Sequence, residues 1–200
     1  MKRFFAFIIS IVLFFSVFNI LANAESDDPS YFDNTQFEGL SGYQYKKIDK
    51  TYRYEAEYRK VYSDGYFSLE LVAQGDKNKT GVLWMAVTLY STKQKFEIDA
   101  LDILINEDMF SYDKLNIQDE GYSTAQFGKV GIDMIYALYK AEDVAIRIHM
   151  GSRYLDLEPE IDDLNLLITW AKKIVSSGYI SKMDKTNFEL YDTYYAASKE

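Results

Sequence analysis

Between Tyr52 and Leu157 the spacing of apolar residues shifts from two to between three and four, and back to two. Tyr52, Tyr54, Ala56 and Tyr58 alternate with Arg53, Glu55, Glu57 and Arg59, the period of a half-buried strand. A helix would also place Tyr54, Tyr58, Val61 and Tyr62 on one face. After the turn residues Ser63-Asp64-Gly65, the stretch Phe67 to Ala73 alternates again. Val82 to Tyr90 is nearly all apolar and predicts a central strand buried on both faces. Leu101, Ile103 and Ile105 predict another strand, and Phe110 to Ile117 a further one.

The period then lengthens. Val130, Met134, Ile135, Leu138 and Ala141 predict an amphipathic helix over Phe127 to Ala141. Val144, Ile146, Ile148 and Met150 return to alternation, and Arg153 to Leu157 makes a second short strand. A closing helix follows. Pro159 stands at its predicted first position and Glu160, Asp162 and Asp163 fill the first turn. Ile161, Leu164, Leu167, Ile168, Ala171, Ile174 and Val175 form its apolar stripe, and Gly178 its C′ residue.

Grouped strands with few helices predict an α+β domain. The expectation is one antiparallel sheet of about five to seven strands, with two amphipathic helices on one face and the last of them C-terminal. Residues 41–181 form this single domain. Residues 25–40 precede it as an extended linker, with Tyr31, Phe32 and Phe37 docking on the body, and 182–200 follow as a polar tail.

The first 24 residues have a different pattern. Lys2 and Arg3 lead an apolar run from Phe4 to Leu21, and Ala22-Asn23-Ala24 follows. This is the layout of a secretory signal peptide cleaved after Ala24, which predicts a secreted protein. The alternative is a retained anchor, since Phe4–Leu21 reaches the lower limit of a membrane-spanning helix.

Composition narrows the classes. With no cysteine, the exported domain has no disulfide staples, thiol catalysis or thiolate metal site. The whole chain's 22 Lys+Arg against 31 Asp+Glu argue against nucleic acid and against anionic membrane surfaces, and no membrane contact is expected once the signal is removed.

The sharpest local geometry is Met150-Gly151-Ser152-Arg153. Gly-Ser fits a two-residue type II′ hairpin loop. The register then sets Arg147 opposite Asp156 and His149 opposite Tyr154 on one face, with Ile146, Ile148, Leu155 and Leu157 on the other. Arg147, His149, Tyr154 and Asp156 are therefore a candidate ligand surface, for anion binding or acid–base work. The plain alternative is an ordinary set of cross-strand pairs.

Tyrosine is abundant, with 18 residues, and Tyr52, Tyr54 and Tyr58 offer a candidate aromatic surface for a protein or sugar ligand. Asp76-Lys77-Asn78-Lys79-Thr80-Gly81 begins like a calcium loop. Its twelfth position is Val87, so a polar hairpin turn is the better reading. No phosphate-loop, dinucleotide or nucleophile-elbow motif is present, and no cofactor or metal is predicted.

Ile135-x-x-Leu138-x-x-Ala141-x-x-Val144-x-Ile146-Arg147-Ile148, followed by Tyr154-x-Asp156 and a helix, resembles a group of small uncharacterised exported proteins of Gram-positive bacteria. The likeness spans about Tyr52 to Val175. It implies the same α+β fold and an exported location, and no activity. The sequence thus predicts an exported, non-enzymatic domain that binds a protein or glycan at the cell envelope or outside the cell. The alternative is a secreted hydrolase, whose acidic residues need no fixed spacing.

Overall fold

The computed structural model describes residues 31–113, 116–117, 123–128 and 130–183. The signal segment, residues 25–30 of the linker and most of the tail lie outside the described residues.

Among the described residues, ten strands form two antiparallel sheets rather than one. The larger sheet contains β1 (Tyr43–Lys46), β2 (Thr51–Tyr62), β3 (Gly65–Asp76), β4 (Val82–Ser91), β7 (Asn116–Ile117) and β8 (Ser123–Gly128), in the order β1-β2-β3-β4-β8-β7. The smaller has β5 (Ala100–Ile105), β6 (Asp108–Asp113), β9 (Val144–Met150) and β10 (Arg153–Leu157), in the order β10-β9-β5-β6. Helix α1 is Ile132–Tyr139, α2 is Asn165–Ser176 and α3 is Tyr179–Met183. The α+β class with antiparallel sheets is as the sequence predicts.

The helices join the sheets. α1 packs on β5, and α2 packs on α1 and β2. Met134, Ile135 and Leu138 of α1 and Leu167, Trp170, Ala171 and Ile174 of α2 thereby enter one continuous core. Trp170 joins α2 to the large sheet. Its ring stacks on Tyr54, and its Nε1–H donates to the Tyr54 carbonyl at 3.0 Å. From the small sheet come Leu101, Ile103 and Ile105 of β5 and Val144, Ile146 and Ile148 of β9.

Three boundaries depart from the sequence reading. Ser123–Gly128, which overlaps the start of the predicted first helix, is a strand paired to β4, and α1 begins only at Ile132. The closing helix starts with a 3-10 turn, Ile161–Leu164, so Pro159 precedes the helix instead of occupying its first position. Gly178 ends α2 at φ +74, as a C′ glycine should.

The described part of the expected linker belongs to the domain. Phe32 and Phe37 are buried, Phe37 stacks on Tyr54 at 4.7 Å, and Asp33 caps the short 3-10 turn Asn34–Phe37. At the other end, α3 carries the fold past Lys182, and Tyr179 is fully buried against Phe32.

Candidate functional site

The β9–β10 hairpin has the predicted register: Tyr154 pairs with His149, and Asp156 with Arg147. Gly151 takes φ +61, which glycine supplies without steric cost. The four candidate residues therefore share the outward face of the small sheet. Arg147 donates from Nε and Nη2 to the two Asp156 carboxylate oxygens at 2.7 and 2.8 Å. Its guanidinium lies 4.5 Å from the centre of the Tyr154 ring. The hydrogen bonds from Arg147 hold the Asp156 carboxyl below its usual range, and the same bonds raise the arginine.

The third strand adds what the hairpin cannot show. β5 runs beside β9 and sets Asp102 opposite Arg147, while β6 sets Ser111 opposite Asp102. The His149 Nε2 lies 2.7 Å from Asp102 Oδ2. Burial by itself would raise Asp102. Hydrogen bonds from Ser111 and His149, with the charges of His149 and Arg147, outweigh it and hold the carboxyl low. In the sequence Asp102 is only the polar position of a strand, because nothing local ties β5 to β9. Beside this row lies a concavity of about 190 Å³ lined by Asp102, Leu104, Met109, Arg147, Asp156 and Glu158, among others. The arginine that would attract an anion there is already held by a carboxylate.

Tyr52, Tyr54 and Tyr58 do not form an aromatic surface. All three are buried, at 2–4% exposure, on the inward face of β2. Burial raises the Tyr54 and Tyr58 phenols, which stay neutral. The strand alternates as the half-buried pattern predicts, with the tyrosines inside and the charged residues between them facing out.

That outward face of the large sheet is the second candidate surface. Strand register places Gln44, Arg53, Gln74 and Val82 in one row, then Glu55, Val72 and Trp84, then Glu57, Glu70 and Ala86. Arg59, Ser68, Thr88 and Thr124 make the next row, and Val61, Tyr66 and Tyr90 the last. Trp84, Thr88 and Tyr90 are only partly buried, so β4 is not covered on both faces as its apolar run predicts. Arg53 pairs with both Glu55 and Glu70 and lies 4.9 Å over the Trp84 ring. Tyr66 and Tyr90 pack at 5.5 Å, with Arg59 over Tyr66. Burial raises Glu70 against the opposing pull of Arg53.

Near one end of this face is a concavity of about 280 Å³. Gln44, Lys46, Thr51, Arg53 and Gln74 line it together with Tyr52 and Gly75. Two amides, a hydroxyl, an ammonium and a guanidinium converge there, and no carboxylate lines it. No local pattern announces it, because its residues come from three strands.

Among the described residues, no cluster of three His, Asp or Glu side chains is arranged to hold a metal ion. Nor is any described helix long and apolar enough to cross a membrane. No family model matches the chain, and neither the curated proteins nor the solved structures contain a match.

Proposed function

We propose that the chain is an exported binding domain whose ligand is a glycan, held on the outward face of the large sheet. The observation that carries this reading is the polar concavity at Gln44, Thr51, Arg53 and Gln74, one row from the Trp84 ring. Sugars present hydroxyls at their rims and C–H groups on their ring faces. Amide and hydroxyl side chains complement the first, and an aromatic ring complements the second. From Trp84 the face continues to Tyr90, six residues or roughly 20 Å further along β4. An extended chain of sugars would find a second aromatic platform there. Export rests on the basic, apolar and small-residue order of the first 24 residues, with release after Ala24.

Glycan-array binding by the exported protein tests the reading. Trp84→Ala and Gln74→Ala should each weaken the best ligand about tenfold, the loss of a ~1.4 kcal/mol contact. The circular dichroism spectrum should not change. Binding that survives both substitutions removes the glycan from this face. Capture of a protein in place of any glycan would favour a protein partner.

One observation supports a hydrolase as the second reading. Glu70 is the sole carboxylate among the described residues with a raised pKa, and it faces Glu57 across the same surface. Release of reducing sugar that disappears in Glu70→Gln would establish it.

A further inference from the structure

The chain is acidic as a whole, yet one end of the large sheet is basic. The end of β1 and the turn after it carry Lys46, Lys47 and Lys50, and the β3–β4 turn carries Lys77 and Lys79. The two turns are adjacent: Lys77 N–H donates to the Lys50 carbonyl at 2.6 Å, and Thr51 pairs with Asp76. All five lysines are exposed, and none forms an ion pair among the described residues. Asp49 and Asp76 oppose them within the turns, and Asp33, which accepts hydrogen bonds from Thr35, adds one more carboxylate beside them.

Ile48 lies in the middle of this set. It is 95% exposed, the highest value of any large apolar side chain among the described residues. A lone exposed isoleucine is ordinary on most surfaces. Here it occupies a turn, where glycine, asparagine or aspartate would be usual, and lysines surround it. Lys50 holds φ +55, a conformation that asparagine or glycine adopts more readily, so a positive charge is kept there at some conformational cost.

The same end receives the incoming chain. Tyr31, the first described residue, bridges to Lys79, and Phe32 N–H donates to the Asn78 carbonyl. Only residues 22–30 separate Tyr31 from the apolar segment Phe4–Leu21. A linker of that length reaches on the order of 30 Å at most. Before cleavage after Ala24, while the apolar segment is still in a membrane, the basic end is therefore held close to it.

We propose that this end docks on an anionic lipid surface, with Ile48 entering the headgroup layer and the lysines meeting lipid phosphates. Lysines near such a surface gain from its negative potential, and an apolar side chain at their centre gains from burial. An acidic polysaccharide would use the lysines but leave Ile48 in water, which favours lipid. The overall negative charge does not oppose this, because charges more than a Debye length away are screened.

The absence of cysteine allows a clean test. Ile48→Cys in the full chain is labelled with an environment-sensitive fluorophore and mixed with phosphatidylcholine vesicles, with or without phosphatidylglycerol. The apolar segment inserts into both, so the neutral vesicles set the reference. A blue shift only on anionic vesicles, reversed by high salt, is expected. Lys47, Lys50, Lys77 and Lys79→Gln should each weaken it about fivefold. A label at Ser152, in the β9–β10 turn of the other sheet, should not respond. An equal signal on neutral vesicles, or none on anionic ones, overturns the proposal. Retention on an acidic polysaccharide with no spectral change on vesicles also overturns it, in favour of a glycan at this end.

Discussion

The outward faces of the two sheets use similar residues to different ends. On the small sheet the polar groups are already paired: Arg147 is held by Asp156, and the His149 ring nitrogen lies 2.7 Å from Asp102. Tyr154 has a guanidinium over its ring. On the large sheet the pairing is uneven. Arg53 is shared between Glu55 and Glu70, while the amides of Gln44 and Gln74 and the Thr51 hydroxyl line an open concavity. A polar face is a candidate for recognition when its hydrogen-bonding groups are left for a ligand, and a count of its charges does not reveal that. The hairpin residues that look most like a site in the sequence are thus already engaged, with each other or with Asp102.

The two faces belong to one molecule only if both sheets fold as one cooperative unit. Trp170→Ala strikes the contact that links α2 to the large sheet. It removes a fully buried ring and leaves the Tyr54 carbonyl without its donor. The expected loss is about 3–5 kcal/mol of folding stability, read as a lower midpoint in urea with a single transition. Two separated transitions would show that the sheets fold independently, and their faces would then need separate treatment.

A smaller effect sharpens the contrast through pH. The Glu70 carboxyl is raised by burial, so its folded pKa lies above the unfolded value of about 4.3. Its ionisation opposes folding above that folded pKa, and the penalty fades as pH falls toward ~4.3. Asp102 is lowered on balance, so its ionised form favours folding above about 3.9, and that contribution is lost as pH falls through its folded pKa. Glu70→Gln should therefore stabilise the protein at neutral pH, with the gain shrinking in acid. Asp102→Asn should destabilise it at neutral pH, with the loss shrinking in acid. Thermal midpoints across the acid range check both signs. Two slopes of the same sign would mean that the faces do not differ as described.

How much of this is legible in the sequence follows from how local each feature is. The β9–β10 hairpin is fully readable, because Gly151-Ser152 fixes the register of the residues beside it. The alternation of β2 is readable too, because the charged side chains between the tyrosines belong in water. The tyrosines' inward neighbours are not readable from the strand itself: Tyr52 and Tyr54 pack against Phe37, Tyr54 also against Trp170, and Tyr58 against Phe67. β8 escapes a sequence reading for a related reason: Ser-Thr-Ala-Gln-Phe-Gly is weakly patterned and becomes a strand by pairing with β4. The division into two sheets depends on which strands find one another, and no stretch of the chain records that. Asp102 and the Gln44–Gln74 concavity share this property, since each joins residues from separate strands.

The smallest expected effect bears most directly on which face recognises a ligand. Arg147→Ala removes both hydrogen bonds to Asp156 and the cover over Tyr154. Arg147 and Asp156 are both exposed, and Tyr154 is 63% exposed. Water can take the place of the guanidinium at each of these groups, and exposed ion pairs contribute little. The unfolding midpoint should stay within experimental error, and so should affinity for whatever ligand the Trp84 face holds. A midpoint that falls would show that the pair braces the hairpin. A drop in affinity at an unchanged midpoint would have a larger consequence. It would mean that a ligand displaces Asp156 from Arg147, and that the small sheet, with His149 and Asp102 beside the arginine, is the recognition face.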